Sequence, residues 1–228
     1  IGLGRMGCAV AEELSAHPEY RIYKIDASID ERVSLSLGNF STMDEYERLI
    51  DQDEVAIYLR SIKDSDDVLL IVEGGDPVSG ATLKILECIK NSRIYVLYIC
   101  PERDMISQTS KRDDKIAFNI FQEYARSGVF ERLFLIRKSN VENLMGDVPV
   151  QEYEKSIGNF ISYVIAMINY FNHTDPKISN RIESVPYCRI ATYGVSSLDE
   201  NNEDTHLLFP LEEVTDIHFY YGIPSQDV

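Results

Sequence analysis

The chain has 228 residues, 44% of them apolar, and its 38 acidic against 22 basic residues give a formal charge of -16. That balance argues against nucleic acid or an anionic membrane as the main partner, and any phosphate affinity must come from local amides rather than from global charge. No run is long and apolar enough for a membrane span, and the length suits one large domain or one domain with a small appendage. Cys8, Cys88, Cys100 and Cys188 are scattered, with no CxxC or Cys/His cluster, so no zinc site is expected. Three of the four lie in apolar segments and read as reduced core residues. The chain opens without Met, at what reads as the end of a first strand. Upstream residues are therefore expected, and a targeting segment is left open.

Ile1 to Leu3 reads as a strand stub. Gly2, Gly4 and Gly7 satisfy G-x-G-x-x-G, and Cys8 to Ala16 continues as a helix. Arg21 to Ile25 alternates as a second strand ending at Asp26, which lies 19 residues after Gly7. That is close to the spacing of a ribose-binding acid in dinucleotide folds, although a solvated strand end is the plainer reading. Thr42 and Asp44 are candidate caps of a long charged helix over 45–62.

The stretch from Val68 to Lys90 organises the rest. Five apolar residues, Val68 to Val72, predict a buried strand. Gly74, Gly75, Ser79 and Gly80 form a second glycine loop, and an amphipathic helix follows. A strand leading through a glycine loop into a helix start is a physical anion site, because amides and helix dipole both favour negative charge. Ser79 reads equally well as a simple helix cap.

Arg93 to Ile99 is a near-continuous apolar strand of buried parallel type. The segment 101–111 reads as a polar loop, 116–126 as an amphipathic helix closed by Gly128, and 133–136 as a short strand. Asn140 falls in an expected loop over 140–150, where turn chemistry alone would account for it. The segment 151–171 is the most apolar helix and is expected to be buried between two layers. Beyond Pro186, CRIATYGVSS and VTDIHFYYGI read as antiparallel strands separated by an acidic solvated loop over 198–205. Four dispersed histidines suggest no catalytic set. The pattern predicts a doubly wound α/β fold with a parallel sheet, divided into an α/β unit over 1–150, a central helix over 151–176 and a β-containing tail over 177–228.

Two families share these features. IGLGRMG with Asp26 resembles the NAD(P)-binding domain of β-hydroxyacid dehydrogenases, but only over the first 26 or so residues. The remainder resembles the tubulin/FtsZ family over roughly residues 1 to 172. Gly74-Gly75-Asp76-Pro77-Val78-Ser79-Gly80-Ala81 has the length and place of that family's GGGTGSG loop and following Ala. RIYVLYICP, a helix ending ARSG, the strand LFLI, Asn140, and Val148-Pro149 before the long helix follow the family's order. The resemblance implies a tubulin/FtsZ-type sheet with a long central helix and a short C-terminal β segment. It also implies contacts to GTP or GDP from Gly2, Gly4, Gly7, Asp26, Gly74, Gly75, Ser79, Gly80 and, for the base, Asn140.

Pro77, Val78 and Asp76 depart from the pattern. Proline gives no N–H, and Asp76 adds negative charge where a phosphate would sit. After the central helix the family's acidic, water-activating segment has no clear counterpart: only Asp175 precedes Glu183. The expectation is a structural protein that associates head-to-tail into a filament, ring or larger assembly, cytoplasmic or part of a viral particle, with a viral or plasmid origin. Guanine nucleotide or no cofactor at all is expected, with at most weak GTP hydrolysis. The alternatives are an NAD(P)-binding oxidoreductase and a scaffold that binds no nucleotide.

Overall fold

The computed structural model describes residues 1–29, 34–176, 187–197 and 205–222. Its centre is a seven-stranded, all-parallel sheet with the strands β1 (Gly2–Leu3), β2 (Lys24–Asp26), β3 (Ser34–Ser36), β4 (Asp67–Glu73), β5 (Arg93–Cys100), β6 (Arg132–Arg137) and β7 (Ile190–Thr192). Their order is β3-β2-β1-β4-β5-β6-β7. The chain runs outward from β1 to β3 and then returns to β4 on the other side of β1. A doubly wound sheet opens a crevice at such a reversal, beyond the carboxyl ends of the strands.

Both faces of the sheet are covered, and the sequence says why. Along β4, β5 and β6, Leu70, Val72, Val96, Tyr98, Leu133 and Leu135 enter one core, while Ile71, Leu97, Ile99 and Ile136 enter the other. Successive side chains of a strand point to opposite faces, so an uninterrupted apolar run demands cover on both. Each such buried side chain contributes about 1.5–3 kcal/mol relative to exposure.

On the first face lie α2 (Met43–Leu49), α3 (Gln52–Leu59), α4 (Thr82–Cys88) and α5 (Gln108–Arg126). On the second lie α1 (Gly4–Leu14), α6 (Lys138–Met145) and α7 (Tyr153–His173). Helix α1 buries Met6, Val10 and Leu14, and α7 buries Ile157, Ile161, Val164 and Ile165, each set at helical spacing. The two helices cross closely at Gly158, where a Cβ would stand 3.3 Å from the Ala9 carbonyl carbon.

Several sequence expectations change. The single helix over 45–62 is two, because Asp51 leaves helical geometry and caps α3 through Asp53 N at 2.9 Å. Thr42 does cap α2, in a reciprocal capping box with Glu45. Strand β3 was not expected. Helix α5 begins at Gln108, eight residues before the first strong apolar position, because Ser107 caps it through Ser110 N. Helix α7 is not sandwiched along its whole girth: Tyr163 and Tyr170 are exposed on its outer face. The segment CRIATYGVSS splits. Ile190–Thr192 joins the main sheet parallel to β6, and β8 (Gly194–Ser196) pairs antiparallel with β9 (Thr205–Leu207). Residues 214–222 form no strand. The acidic loop lies outside the described residues, apart from its last member, Thr205.

Candidate functional site

The reversal between β1 and β4 brings both glycine loops together. Helix α1 follows β1 without a loop: Leu3 is its N-cap residue and makes no side-chain cap. Gly2 and Gly7 pack strand against helix, for a Cβ on Gly2 would overlap the Gly7 carbonyl. Gly4 takes φ +72, a left-handed conformation that favours glycine, at the turn from strand into helix.

Facing it, β4 ends at Glu73 and runs through Gly74 and Gly75 to Asp76. Asp76, not Ser79, caps the short 3-10 turn Pro77–Ala81; its Oδ1 accepts from Val78 N at 3.0 Å. Asp followed by Pro at the first helical position is a readable start signal, and it was the missed one. The Ser79 hydroxyl turns inward and donates to the Asp76 carbonyl at 2.6 Å. Gly80 packs against the Met43 backbone. Gly74 lies against the Tyr98 hydroxyl and the Asp114 carboxylate, where any Cβ would collide.

The decisive contact joins the two loops. A Cβ on Gly4 would stand 2.7 Å from Asp76 Oδ2, which brings this carboxylate against the first residue of α1. Asp76 thus meets the start of α1 with a carboxylate. Its pKa is raised: burial is the largest cause and nearby Asp26 adds to it, while the Val78 amide and Arg5 oppose the shift.

The surroundings are acidic. Asp26 ends β2, and its Oδ1 accepts from Ala27 N at 2.7 Å. Glu73 bonds Lys138 Nζ at 2.6 Å across the end of β5. Arg5 pairs with Glu154 of α7 at 2.6 Å. Three carboxylates therefore ring the crevice, and Lys138 and Arg5, which act on them, each hold a carboxylate partner.

Asn140 is not in a loop. It is the third residue of α6, whose helix starts directly after β6, and its Nδ2 donates to the Leu207 carbonyl of β9 at 2.9 Å. Its side chain fastens the β8–β9 hairpin beside an open groove of about 420 Å³ lined also by Asn143, Leu144 and His206. Behind the loops, Tyr98 donates to Asp114 Oδ1 at 2.8 Å, and Arg103 reaches the other oxygen of that carboxylate at 3.3 Å. Neither this cluster nor Glu73–Lys138 was legible in the sequence, since each joins residues 11 to 65 positions apart.

Among solved structures, an FtsZ dimer from M. jannaschii, described as empty, matches with a TM-score of 0.61 at 14% identity, covering 78% of this chain and 55% of that one. The fold is of the tubulin/FtsZ type. CetZ2 from Haloferax volcanii, a GTPγS-bound protofilament, matches with a TM-score of 0.54 at 12% identity over 78% of this chain and 59% of its own. This chain thus spans little more than half the length of either. No protein-family model and no curated protein matches the sequence. Both glycine loops stand at the reversal between β1 and β4, where a doubly wound sheet opens its crevice. The residues present fit a polyphosphate poorly: Asp76 takes the Val78 amide and lies against the start of α1, and Glu73 and Asp26 add like charge.

Proposed function

We propose that this chain is a structural protein that associates head-to-tail with copies of itself into a filament, a ring or a larger assembly. The observation that carries this reading is the likeness of its sheet and helices to an FtsZ dimer and to a CetZ2 protofilament. Heterologous contacts of one chain with the next give a ring where the rotation closes and a filament where it does not. Catalysis of GTP hydrolysis is absent or weak in this reading. Phosphoryl transfer depends on positioned donors and charge stabilisation, and here Asp76 and the acidic ring oppose both.

The oxidoreductase alternative rests on Gly2, Gly4, Gly7 and Asp26, and no further observation favours it. A scaffold that assembles without nucleotide is the form of the structural reading that Asp76 supports best.

The test is sedimentation and negative-stain electron microscopy over a wide range of protein concentration, with and without GTP. Concentration-dependent polymers or closed rings are expected. A chain that stays monomeric throughout and binds NADH stoichiometrically would overturn the reading in favour of the dehydrogenase.

A further inference from the structure

We propose that Asp76 is the resident anion of the crevice between β1 and β4, so that the native chain takes no nucleotide phosphate there, and that replacing it with a shorter, uncharged side chain opens the position. The start of a helix of ordinary length presents free amides and a positive dipole end, which stabilise a negative group. In this chain that group comes from the neighbouring loop. Asp76 accepts from Val78 N at 3.0 Å through Oδ1, and its Oδ2 lies against Gly4, so one carboxylate joins the first turn of α1 to the 3-10 turn after β4.

Four further facts agree. Gly4 has φ +72 and leaves its Cβ position open; a side chain there would run into Asp76 Oδ2 at 2.7 Å. Pro77 follows directly and has no N–H, so the loop offers one amide fewer to any outside anion. Glu73 and Asp26 lie close enough to act electrostatically on Asp76 or with it, and both would repel an incoming polyphosphate. Lys138 and Arg5 are paired with Glu73 and Glu154. The carboxylate thus fills the space beside the start of α1 that a phosphate would need, and the remaining charge discourages a rival.

This inference does not depend on whether the chain assembles. A chain that forms no polymer yet ignores pyrophosphate would sink the assembly reading and leave the inference standing.

The experiment compares the native chain with Asp76→Ser and Asp76→Asn, titrated calorimetrically with magnesium pyrophosphate and with GDP. Serine keeps a good N-cap while shortening the side chain and removing its charge; asparagine keeps the shape and fills the same space. No binding is expected for the native chain or Asp76→Asn up to about 1 mM ligand, and an affinity gain of about tenfold or more is expected for Asp76→Ser. The Arg5 and Val78 amide resonances of the serine variant should shift on adding pyrophosphate. Should Asp76→Ser fail to fold, Asp76→Thr, also a capping residue, carries the same expectation. Micromolar binding of either ligand to the native chain would overturn the inference. So would a folded serine or threonine variant that gains no affinity.

Discussion

Glu73 and Lys138 bridge the carboxyl ends of β4 and β6 over the strand between them, with Nζ 2.6 Å from Oε1 and only 16% and 12% of the two side chains exposed. Burial raises the Glu73 pKa, and the lysine, though it opposes that shift, does not cancel it. A group whose folded pKa is raised adds stability that is complete below its unfolded pKa and is lost as pH rises through the folded one. Glu73 should therefore contribute a loss of stability on going upward from about pH 4.5. Glu73→Gln should flatten that part of the curve, and Lys138→Met should steepen it. At neutral pH, Lys138→Met leaves a buried carboxylate without its partner and should cost about 3 kcal/mol, whereas the double variant Glu73→Gln/Lys138→Met should recover most of it. Urea denaturation across the pH range checks all three. A Lys138→Met chain as stable as the native one at neutral pH would show that the pair contributes little.

The hydroxyl of Tyr98 and the carboxylate of Asp114 form a second buried relationship, directly behind Gly74. Tyr98 is fully buried, and the Asp114 side chain is 3% exposed. Tyr98→Phe removes the closest donor from that carboxylate and should destabilise by about 1–3 kcal/mol. Gly74→Ala should do at least as much harm, because its methyl group would occupy the place of the Tyr98 hydroxyl and the Asp114 oxygen. Thermal denaturation measures both. If Gly74→Ala were neutral, the glycine at this place would not be fixed by packing.

Gly158 sets the spacing of α7 on α1. Alanine there gains about 1 kcal/mol of helix propensity, but its methyl must fit 3.3–3.4 Å from the Ala9 and Val10 backbone. The two effects should nearly cancel. Gly158→Leu cannot fit without moving α1 away and should cost about 2 kcal/mol or more. Because the first turn of α1 lies against Asp76, the leucine variant should also shift the Arg5 amide resonance, while Gly158→Ala leaves it nearly in place.

What the sequence made legible follows from how local each signal is. The buried strands β4, β5 and β6 stood out because continuous apolar runs need cover on both faces, and both glycine loops could be placed because their spacing is internal to one strand-helix unit. Helix boundaries were harder. Asp51 breaks a charged stretch with no Gly or Pro to mark it, and the first turns of α5 are polar because they lie beside the loops rather than in the core. The segment after Pro186 failed for a different reason: Ile190–Thr192 finds its partner in β6, more than 50 residues earlier, and nothing in three residues fixes whether they run parallel. The site divides in the same way. Asp76-Pro77 as a helix start is written in two adjacent residues, whereas the approach of Asp76 to Gly4 exists only once β1 and β4 lie side by side.

Asn140 separates two roles that sequence reasoning could not tell apart. Its Nδ2 bond to Leu207 ties α6 to the β8–β9 hairpin from an exposed position. Asn140→Ala should therefore leave global stability within about 0.5 kcal/mol, as surface changes usually do. Its effect should be local: faster amide exchange in Thr205–Leu207 and Gly194–Ser196, the two strands of that hairpin. Hydrogen exchange read by mass spectrometry resolves this segment. If the role were contact with a nucleotide base, the same variant would lower guanine-nucleotide affinity in an Asp76→Ser background and leave hairpin exchange alone. Loss of hairpin protection, with pyrophosphate and GDP affinities in that background both unchanged, is the expected result.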